Sequence, residues 1–437
     1  MLLFYLTDFI IIKPAVVDKY VRNSYLKKCP ALSLCMKGMQ SELLTGKSLG
    51  SKKGIPGMTV LTSLFEKNIF AKFPPVIHPL LEKVLGNNAY LHRKVNNFLL
   101  NEFEMKMHRS ILRSYPYYMV IDPTNVCNLK CPLCPTWQDT KSRPKGRMGI
   151  GTFRKLLDEA GPYLFAVNLC NWGEPLLNPD LPSMIRYAKH YNTVTGLSTN
   201  LNYLPDETAR ELVESGTDII IVSLDGATQE SYERYRRDGN LQEVLRNIEK
   251  LNAYRENDQD SPLLIWQFLV NRYNEAEIGK ARDMAAQLGM QFFPSPMRTS
   301  MGKELLLPLH ERVTEMKEWL PGNPEYNRYA YEITPESRTR QETCRWLWNS
   351  TVVNWDGSVS PCCGVFEKTW DFAICRPDPK GKSLTFRQAW NSPRYRLARK
   401  LVSAHMKDSR HRTGLLMKSE YEGLICAKCV QFGFLEE

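Results

Sequence analysis

Three cysteines, Cys127, Cys131 and Cys134, form the most informative chemical pattern in this chain of 437 residues. Their C-x3-C-x2-C spacing puts three thiols in one short loop, directly after the apolar stretch 117–121. Three thiolates can ligate three irons of a [4Fe–4S] cluster and leave the fourth iron open to a small molecule, as a catalytic cluster needs. Structural zinc is the alternative, but zinc usually takes four ligands, and no fourth one lies nearby in the sequence.

The cysteine loop reads DPTNVCNLKCPLCP over 122–135 and resembles the signature of the radical S-adenosylmethionine (SAM) family, with Leu133 where the family usually has an aromatic residue. The resemblance implies that the methionyl amine and carboxylate of SAM bind the open iron. It also implies that one-electron reduction gives methionine and a 5'-deoxyadenosyl radical, which abstracts a hydrogen from the substrate. We therefore expect an enzyme with a [4Fe–4S] cluster and SAM as cofactors, reduced by a flavodoxin- or ferredoxin-type protein.

Short apolar runs alternate with amphipathic segments from residue 117 onward. This alternation predicts a parallel sheet with helical crossovers. The predicted strands are 117–121, 165–169, 193–198, 218–223, 263–270 and 290–293, and the predicted helices are 153–160, 181–190, 206–214, 241–255 and 275–288. The family folds as a partial (β/α)6 barrel, so the resemblance and the periodicity predict the same α/β class. Loops at the strand ends carry the chemistry in such folds.

A second motif, Asn171-Trp172-Gly173-Glu174-Pro175-Leu176, follows the second predicted strand. It resembles the GGEP motif of the family, with Trp172 in place of the first glycine. In that motif the backbone and the acidic side chain receive the amino group of SAM, which implies this role for Gly173 and Glu174. A carboxylate suits an ammonium group. Taken alone, Gly-Glu-Pro would be an ordinary turn.

The third and fourth predicted strands end in polar residues that resemble the family's ribose- and carboxylate-contacting positions. Small hydroxyl and amide side chains can hydrogen-bond a ribose without crowding it. The resemblance makes Arg236 a candidate partner of the methionyl carboxylate, with Gln267 and Asn271 as weaker candidates for the same cavity. The strand-end candidates are Ser198, Asn200, Ser223 and Asp225.

A second cysteine-rich region begins at Cys344 and resembles the SPASM domain, an auxiliary-cluster module of the same superfamily. Four thiolates can fully ligate a second [4Fe–4S] cluster. The cysteine series ends at Cys429, which favours a shortened, twitch-like form with one auxiliary cluster. Cys363 is an alternative ligand to Cys362, and a zinc ribbon is an alternative to the cluster. The proposed auxiliary ligands are Cys344, Cys362, Cys426 and Cys429.

Three roles are open to the auxiliary cluster: it accepts an electron from a substrate radical, which makes the net reaction an oxidation, it binds the substrate, or it only conducts electrons or braces the fold. The full set of four ligands favours electron transfer over substrate binding. The sequence does not identify the base that takes the substrate proton. A small-molecule, sugar or lipid-linked substrate is our first expectation, because residues 1–115 lack the alternating strands of a winged-helix leader-binding domain. Modification of a ribosomal peptide or protein is the alternative. A non-catalytic iron–sulfur or zinc protein, acting in electron transfer or as a scaffold, is the alternative from a different class.

The charge of the chain is concentrated ahead of the cysteine loop. Residues 1–115 hold 17 Lys and Arg against 7 Asp and Glu, so they carry +10 of the formal net charge of +11. A basic segment with apolar spacing can contact an anionic membrane or an acidic carrier, although a solvated helical face explains it too. No nucleic-acid motif accompanies the charge. Clustered rather than scattered cysteines favour a reducing compartment, so we expect a cytoplasmic protein, peripheral to a membrane at most.

Four regions are predicted along the chain. Residues 1–115 are expected to form a basic, mostly helical extension, and residues 116–296 the radical SAM barrel. Residues 297–343 are expected to form a bridge with a charged helix at 309–320, and residues 344–437 the auxiliary-cluster domain. No apolar stretch in the sequence is long enough to span a bilayer.

Overall fold

The computed structural model describes residues 89–139, 141–255, 261–297, 317–327, 344–375, 384–407 and 419–431. These residues belong to one compact unit that begins at Ala89. Most of the predicted N-terminal extension, Cys29, Cys35 and residues 309–316 of the predicted charged helix lie outside the described residues. None of the helices in the described ranges is both long and apolar enough to cross a membrane.

Six parallel strands form the barrel sheet, in the order in which they occur along the chain. The six predicted strands are confirmed, with ends that differ by at most three residues. The strands are β1 (Tyr118–Ile121), β2 (Ala166–Asn168), β3 (Val194–Thr199), β4 (Ile219–Ser223), β5 (Leu263–Val270) and β6 (Gln291–Pro296).

Helices follow the strands as crossovers, which gives the α/β architecture predicted from the alternation. The helix predicted over 275–288 is a 3-10 turn at Glu275–Glu277 followed by a helix from Ile278, and the helix at Gln229–Tyr235 was not predicted. The helices through the barrel are α1 (Leu91–Lys106), α2 (Pro135–Gln138), α3 (Ile150–Ala160), α4 (Leu181–Lys189), α5 (Asp206–Glu214), α6 (Gln229–Tyr235), α7 (Leu241–Arg255) and α8 (Ile278–Gln287).

The two faces of the sheet differ in exposure. Along β5, Leu264, Trp266 and Phe268 are buried, whereas Gln267 and Leu269 between them are only partly buried. Successive strand residues point to opposite faces, so the first set faces the helices and the second set faces the barrel interior. The interior face is therefore the one on which ligand-contacting side chains of the strands must lie.

The sheet continues beyond β1 into the C-terminal region. β7 (Ser350–Val353) pairs with β1 in parallel, and β8 (Ser358–Ser360) and β9 (Ala373–Ile374) add antiparallel strands. The complete order is β6-β5-β4-β3-β2-β1-β7-β8-β9. The remaining helices are α9 (Trp346–Asn349), α10 (Phe386–Trp390), α11 (Pro393–Lys407) and α12 (Ile425–Gln431).

Candidate functional site

The loop after β1 gathers the three cysteines. Cys131 is buried, and Cys127 and Cys134 are partly exposed. The Cys134 N–H donates to the Cys131 carbonyl at 3.1 Å, and Cys134 is the N-cap of α2, with Pro135 at its first turn. Proline is favoured there because its missing N–H needs no partner. The Leu129 N–H points at the Cys127 sulfur at 3.5 Å, so the loop backbone folds around its thiols.

The Gly-Glu-Pro turn packs directly against this loop. The Glu174 N–H donates to the Val126 carbonyl at 2.8 Å, and Gly173 adopts φ +106°. A Cβ on Gly173 would lie 2.3 Å from the Thr124 carbonyl oxygen and 2.9 Å from that of Val126. Glycine is required at this position because the backbones of the turn and the loop are in contact.

Glu174 is buried, and its carboxylate accepts three hydrogen bonds from the protein. The donors are the Leu176 N–H at 3.2 Å, the Thr199 hydroxyl at 2.6 Å and the Asn200 N–H at 2.7 Å. Burial raises the pKa of Glu174 to about 7 against the opposing effect of these donors. Glu174 thus joins the turn to the end of β3. Its predicted contact with the SAM amino group stays a prediction.

Asn200 lies between β3 and the cysteine loop. Its side-chain Nδ2 is 3.8 Å from the Cys127 sulfur and donates to Asn128 Oδ1 at 2.9 Å, while its Oδ1 accepts from the Asn202 N–H at 2.9 Å. The predicted strand-end residue is therefore brought to the first cysteine.

Arg236 lies beside the second cysteine. Its Nη1 is 3.8 Å from the Cys131 sulfur, and its Nε donates to Asp225 Oδ2 at 2.6 Å. Asp225 is fully buried and also accepts from the Leu269 N–H at 2.7 Å. Burial raises the pKa of Asp225, and the Arg236 guanidinium opposes this rise. The predicted residues Asp225 and Arg236 form one buried ion pair at the cysteine site.

Burial disfavours ionisation of two of the three thiols of the loop. Burial raises the pKa of Cys127 to about 12 and that of Cys131 to about 11, although the Arg236 guanidinium lowers the latter. Thiols ligate metals as thiolates, so cluster assembly here must release protons.

The interior face of the sheet carries further predicted polar residues. Ser223 pairs with Gln267 across β4 and β5, and Ser198 pairs with Ile221, two residues before Ser223. Paired residues of parallel strands point to the same face, so Ser198, Ser223 and Gln267 share the barrel interior. Asn271 is different, because it is buried and its side chain accepts from the Tyr273 N–H at 2.9 Å in the turn after β5.

A buried apolar cluster that we did not predict includes Cys131. Tyr235, Met297 and Trp319 are buried together with Leu129 and this cysteine. The Tyr235 and Trp319 rings meet edge-on at 5.4 Å between centroids. Trp319 lies far from the cysteine loop in the sequence, in a segment that we predicted only as a charged helix. No sequence pattern therefore indicated that it lies at the site.

Lys145 was also missed. It closes the cysteine loop from outside, because its Nζ donates to the Asn125 carbonyl at 3.1 Å and to the Thr136 carbonyl. A cavity of about 240 Å³ lies here, and its walls include Cys127, Trp137 and Lys145.

A second group of thiols lies in the C-terminal region. Cys426 is buried, and burial raises the pKa of its thiol well above its ordinary value, with further increases from neighbouring Cys344 and Cys362. Cys429 lies one turn along α12 from Cys426, which puts both on one helix face. Cys426 thus lies near Cys344 and Cys362 in space and one helical turn from Cys429.

Two spare cysteines differ in their surroundings. Cys363 neighbours Cys344, whose pKa burial raises to about 11, so the choice between Cys362 and Cys363 stays open. Burial raises the pKa of Cys375 to about 12, with Glu159 of α3 as its charged neighbour. Among the described residues no group of three His, Cys, Asp or Glu side chains is arranged to hold a single metal ion.

Two known families match parts of this chain. Residues 121–277 match the radical SAM superfamily, and residues 344–429 match SPASM, an iron–sulfur cluster-binding domain. The chain therefore belongs to the radical SAM superfamily, whose members are enzymes, and carries a C-terminal SPASM domain. Its cofactors are a [4Fe–4S] cluster with SAM in the barrel and auxiliary iron–sulfur in the SPASM domain, which suits the two groups of thiols described above.

Three relatives illustrate the range of the family. The chain is 35% identical over 112 residues to the tungsten-containing aldehyde ferredoxin oxidoreductase cofactor-modifying protein of Pyrococcus furiosus, covering 25% of this chain and 30% of that protein. It is 29% identical over 175 residues to an AdoMet-dependent heme synthase of Methanosarcina barkeri, covering 40% and 48%. It is 24% identical over 301 residues to the PqqA peptide cyclase of Gluconobacter oxydans, covering 66% and 80%. The first two matches thus span less than half of the relative's length.

Among solved structures, Streptococcus suis SuiB aligns with 16% identity and a TM-score of 0.47, covering 79% of this chain and 81% of that one.

Proposed function

We propose that the enzyme uses a 5'-deoxyadenosyl radical to abstract a hydrogen from a peptide or protein, and that an auxiliary cluster takes up the remaining electron. One observation supports the radical step: Cys127 and Cys134 pack against the same cluster as Cys131, and the Arg236 guanidinium lies 3.8 Å from the Cys131 sulfur, where it suits a carboxylate. When bound, the cluster and SAM supply the radical by one-electron reductive cleavage of a carbon–sulfur bond.

The residues of the chain bind and orient the cofactors. Cys127, Cys131 and Cys134 hold three irons, and Arg236 offers its charge beside them to a carboxylate. Asp225 fixes the guanidinium through the 2.6 Å ion pair. The hydroxyls of Ser198 and Ser223 face the barrel interior, where they suit a ribose. Gly173 and Glu174 hold the turn against the cysteine loop, next to the position we assign to the amino group.

Apolar side chains limit access of water to the site. Trp319 is 5% exposed and Tyr235 is 6% exposed, and both belong to the buried cluster that contains Cys131. A substrate radical survives only where competing reactions are excluded. We propose that these two rings close the Cys131 side of the site.

The auxiliary thiols receive a separate role. Cys344, Cys426, Cys429 and either Cys362 or Cys363 provide a full set of four thiolates, which leaves no iron open to the substrate. A fully ligated cluster suits electron transfer rather than substrate binding. The proposed net reaction is therefore a two-electron oxidation of the substrate: one electron leaves with the abstracted hydrogen atom, the second would pass to the auxiliary cluster, and a proton would be released to a base.

The substrate class is revised from our first expectation. The long alignment with the PqqA peptide cyclase, over 301 residues, supports a peptide substrate better than a small molecule. A small-molecule substrate is the second candidate, which the 29% identity to a heme synthase over 175 residues favours.

Formation of 5'-deoxyadenosine tests the radical step. Anaerobically reconstituted enzyme, reduced with dithionite in the presence of SAM, should release 5'-deoxyadenosine, and Cys131→Ala should release none. Cys170→Ala is the matched control, because Cys170 lies outside both predicted ligand sets and should not be needed. Wild-type enzyme that holds its irons and binds SAM but releases no 5'-deoxyadenosine would refute the proposal.

Addition of host-cell extract tests the substrate class. An extract that contains the substrate should increase the yield of 5'-deoxyadenosine, and protease treatment of the extract should remove the increase if the substrate is a peptide. An increase that survives protease and passes a small-pore filter would instead support the small-molecule candidate.

A further inference from the structure

Trp172, where this chain departs from the GGEP motif, contacts the SPASM domain. Its indole Nε1 donates to the Val365 carbonyl at 3.2 Å, and its ring meets Phe366 edge-on at 5.3 Å between centroids. Its own backbone N–H donates to Asp122 Oδ1 at 3.1 Å. A glycine at this position would make neither side-chain contact, so the tryptophan joins the SAM-binding turn to the second domain.

Arg143 reaches the same part of the SPASM domain from another segment. Its side chain is fully buried, its Nε donates to the Phe366 carbonyl at 2.7 Å, and its two Nη atoms donate to both Asp371 oxygens at 2.9 and 2.7 Å. A bidentate pair of this kind fixes orientation as well as distance.

The segment that carries Arg143 is itself fixed to the cysteine loop. Asn125 donates to the Pro144 carbonyl at 2.9 Å and accepts from the Gly146 N–H at 2.9 Å. On its other side, the Trp355 indole donates to the Pro144 carbonyl at 3.0 Å. The segment therefore lies between the residues that precede Cys127 and the SPASM domain.

Trp172 and Arg143 converge on one short loop. Residues 362–366 begin with the candidate auxiliary ligand Cys362, whose carbonyl accepts from the Val365 N–H at 3.4 Å, and end with Phe366. Both segments that enclose the first cysteine loop thus hold the backbone of a loop that bears an auxiliary thiol.

We propose that Trp172 and Arg143 are positioning residues that fix the Cys362–Phe366 loop, and with it the auxiliary cluster, relative to the SAM site. This inference rests on the proposed function, in which an electron passes from the substrate radical to the auxiliary cluster. Electron transfer slows steeply with distance, so loss of the anchor leaves hydrogen abstraction in place and slows the oxidation that follows it. The ratio of 5'-deoxyadenosine to oxidised product then rises.

A matched pair of Trp→Phe variants tests the anchor. Trp172→Phe removes one indole N–H bond across the junction, and Trp370→Phe removes one inside the SPASM domain, to Glu367 at 3.1 Å. In reconstituted holoenzyme, hydrogen–deuterium exchange over 362–366 should be about fivefold faster in Trp172→Phe, the change expected for one lost hydrogen bond. Trp370→Phe should leave it within experimental error.

Two further variants extend the test. Trp172→Gly restores the motif glycine and should accelerate exchange over 362–366 further. Arg143→Lys keeps the charge but loses the bidentate geometry, so it should also accelerate exchange there. In the reduced holoenzyme, the magnetic interaction between the two clusters, measured by electron paramagnetic resonance, should change in Trp172→Gly and not in Trp370→Phe. A purely structural role in folding would not change this interaction.

The anchor is refuted if Trp172→Phe and Trp172→Gly match Trp370→Phe in both exchange and magnetic interaction. The outcome is separable from the proposed function, because absence of 5'-deoxyadenosine from the unmodified enzyme would refute that function while the exchange result still reported on the anchor.

Discussion

Substitution of Gly173 by alanine should disrupt the first iron–sulfur site without removing any ligand. Gly173 has φ +106°, and its missing Cβ would lie 2.3 Å from the Thr124 carbonyl oxygen and 2.8 Å from the Asn125 Cα. All three of its nearest neighbours are backbone atoms of the cysteine loop, so no side-chain rotation can relieve the overlap. Either the turn or the loop must move.

The free-energy cost of Gly173→Ala is the sum of two contributions. An alanine in a left-handed backbone conformation costs about 1–2 kcal/mol. Forcing a methyl group into a packed site costs about 1–3 kcal/mol. Together they amount to about 2–5 kcal/mol. This cost lowers the equilibrium constant for the native loop conformation by at least about thirtyfold. The Glu174 N–H bond to the Val126 carbonyl should be lost as the two backbones separate.

Iron content, the visible absorbance of the cluster and SAM affinity measure the effect. Gly289→Ala separates the contributions, because Gly289 has φ +65° but nothing within 4 Å of its missing Cβ. Gly151→Ala in α3 involves neither a positive φ nor a crowded Cβ position, so it should be neutral or slightly stabilising. If Gly173→Ala retains iron and SAM as well as Gly289→Ala does, contact between the turn and the loop does not maintain the site, and the reasoning is wrong.

Three further predictions concern charges and thiols. Arg236→Met should lower stability by about 3–5 kcal/mol because it leaves the buried Asp225 carboxylate unpaired, and the double variant Arg236→Met/Asp225→Asn should recover thermal stability but not SAM affinity. Cys426→Ala should lose the auxiliary cluster, about four irons per chain, whereas Cys375→Ala should keep them, as measured by iron analysis. Burial raises the pKa of Asp122 to about 7, so the wild type should lose stability as pH rises toward 7. The stability advantage of Asp122→Asn should therefore grow by about 2 kcal/mol between pH 5 and pH 7 in thermal melts and level off above.

Each of these three predictions has a result that would contradict it. Full SAM affinity in the double variant would mean that Arg236 serves only to neutralise Asp225. Equal iron in Cys426→Ala and wild type would remove Cys426 from the auxiliary ligands. A stability difference between Asp122→Asn and wild type that is flat from pH 5 to pH 8 would show that Asp122 is ionised in the folded protein throughout this range.

Local sequence patterns predicted the barrel well. Alternation of apolar runs and amphipathic segments depends on burial by the nearest elements, so strands such as β5 and helices such as α7 were predicted at their observed bounds. The strand-end residues were predicted from the resemblance to the family, and a parallel sheet places them together because the carboxyl ends of its strands meet at one edge. Asn200 accordingly lies at that edge beside the cysteine loop, and Asp225 lies there paired with Arg236.

Long-range packing was not predictable from the same patterns. Trp319 joins Cys131 from a segment about 190 positions away, and Lys145 closes the cysteine loop through two backbone carbonyls. Lys145 belongs to no predicted element or spaced motif, and Trp319 was predicted only as part of a charged helix. The capped helix α6 was missed because its seven residues are too few to establish a period, although Thr228 and Ser231 form a reciprocal cap at its start.

The position of the second domain follows from strand pairing rather than from a linker. β7 pairs with β1 in parallel, with Ile121 opposite Val353, and the Asp122 N–H donates to the Val353 carbonyl at 2.8 Å. Both chain segments therefore leave the sheet at the same edge, where the cysteine loop begins after β1. Without the SPASM strands, β1 would become an exposed edge of the sheet although its residues are otherwise buried. Proteins avoid exposed apolar edge strands. The two iron–sulfur regions are thus built on one continuous sheet, and the barrel and the SPASM domain depend on each other for stability.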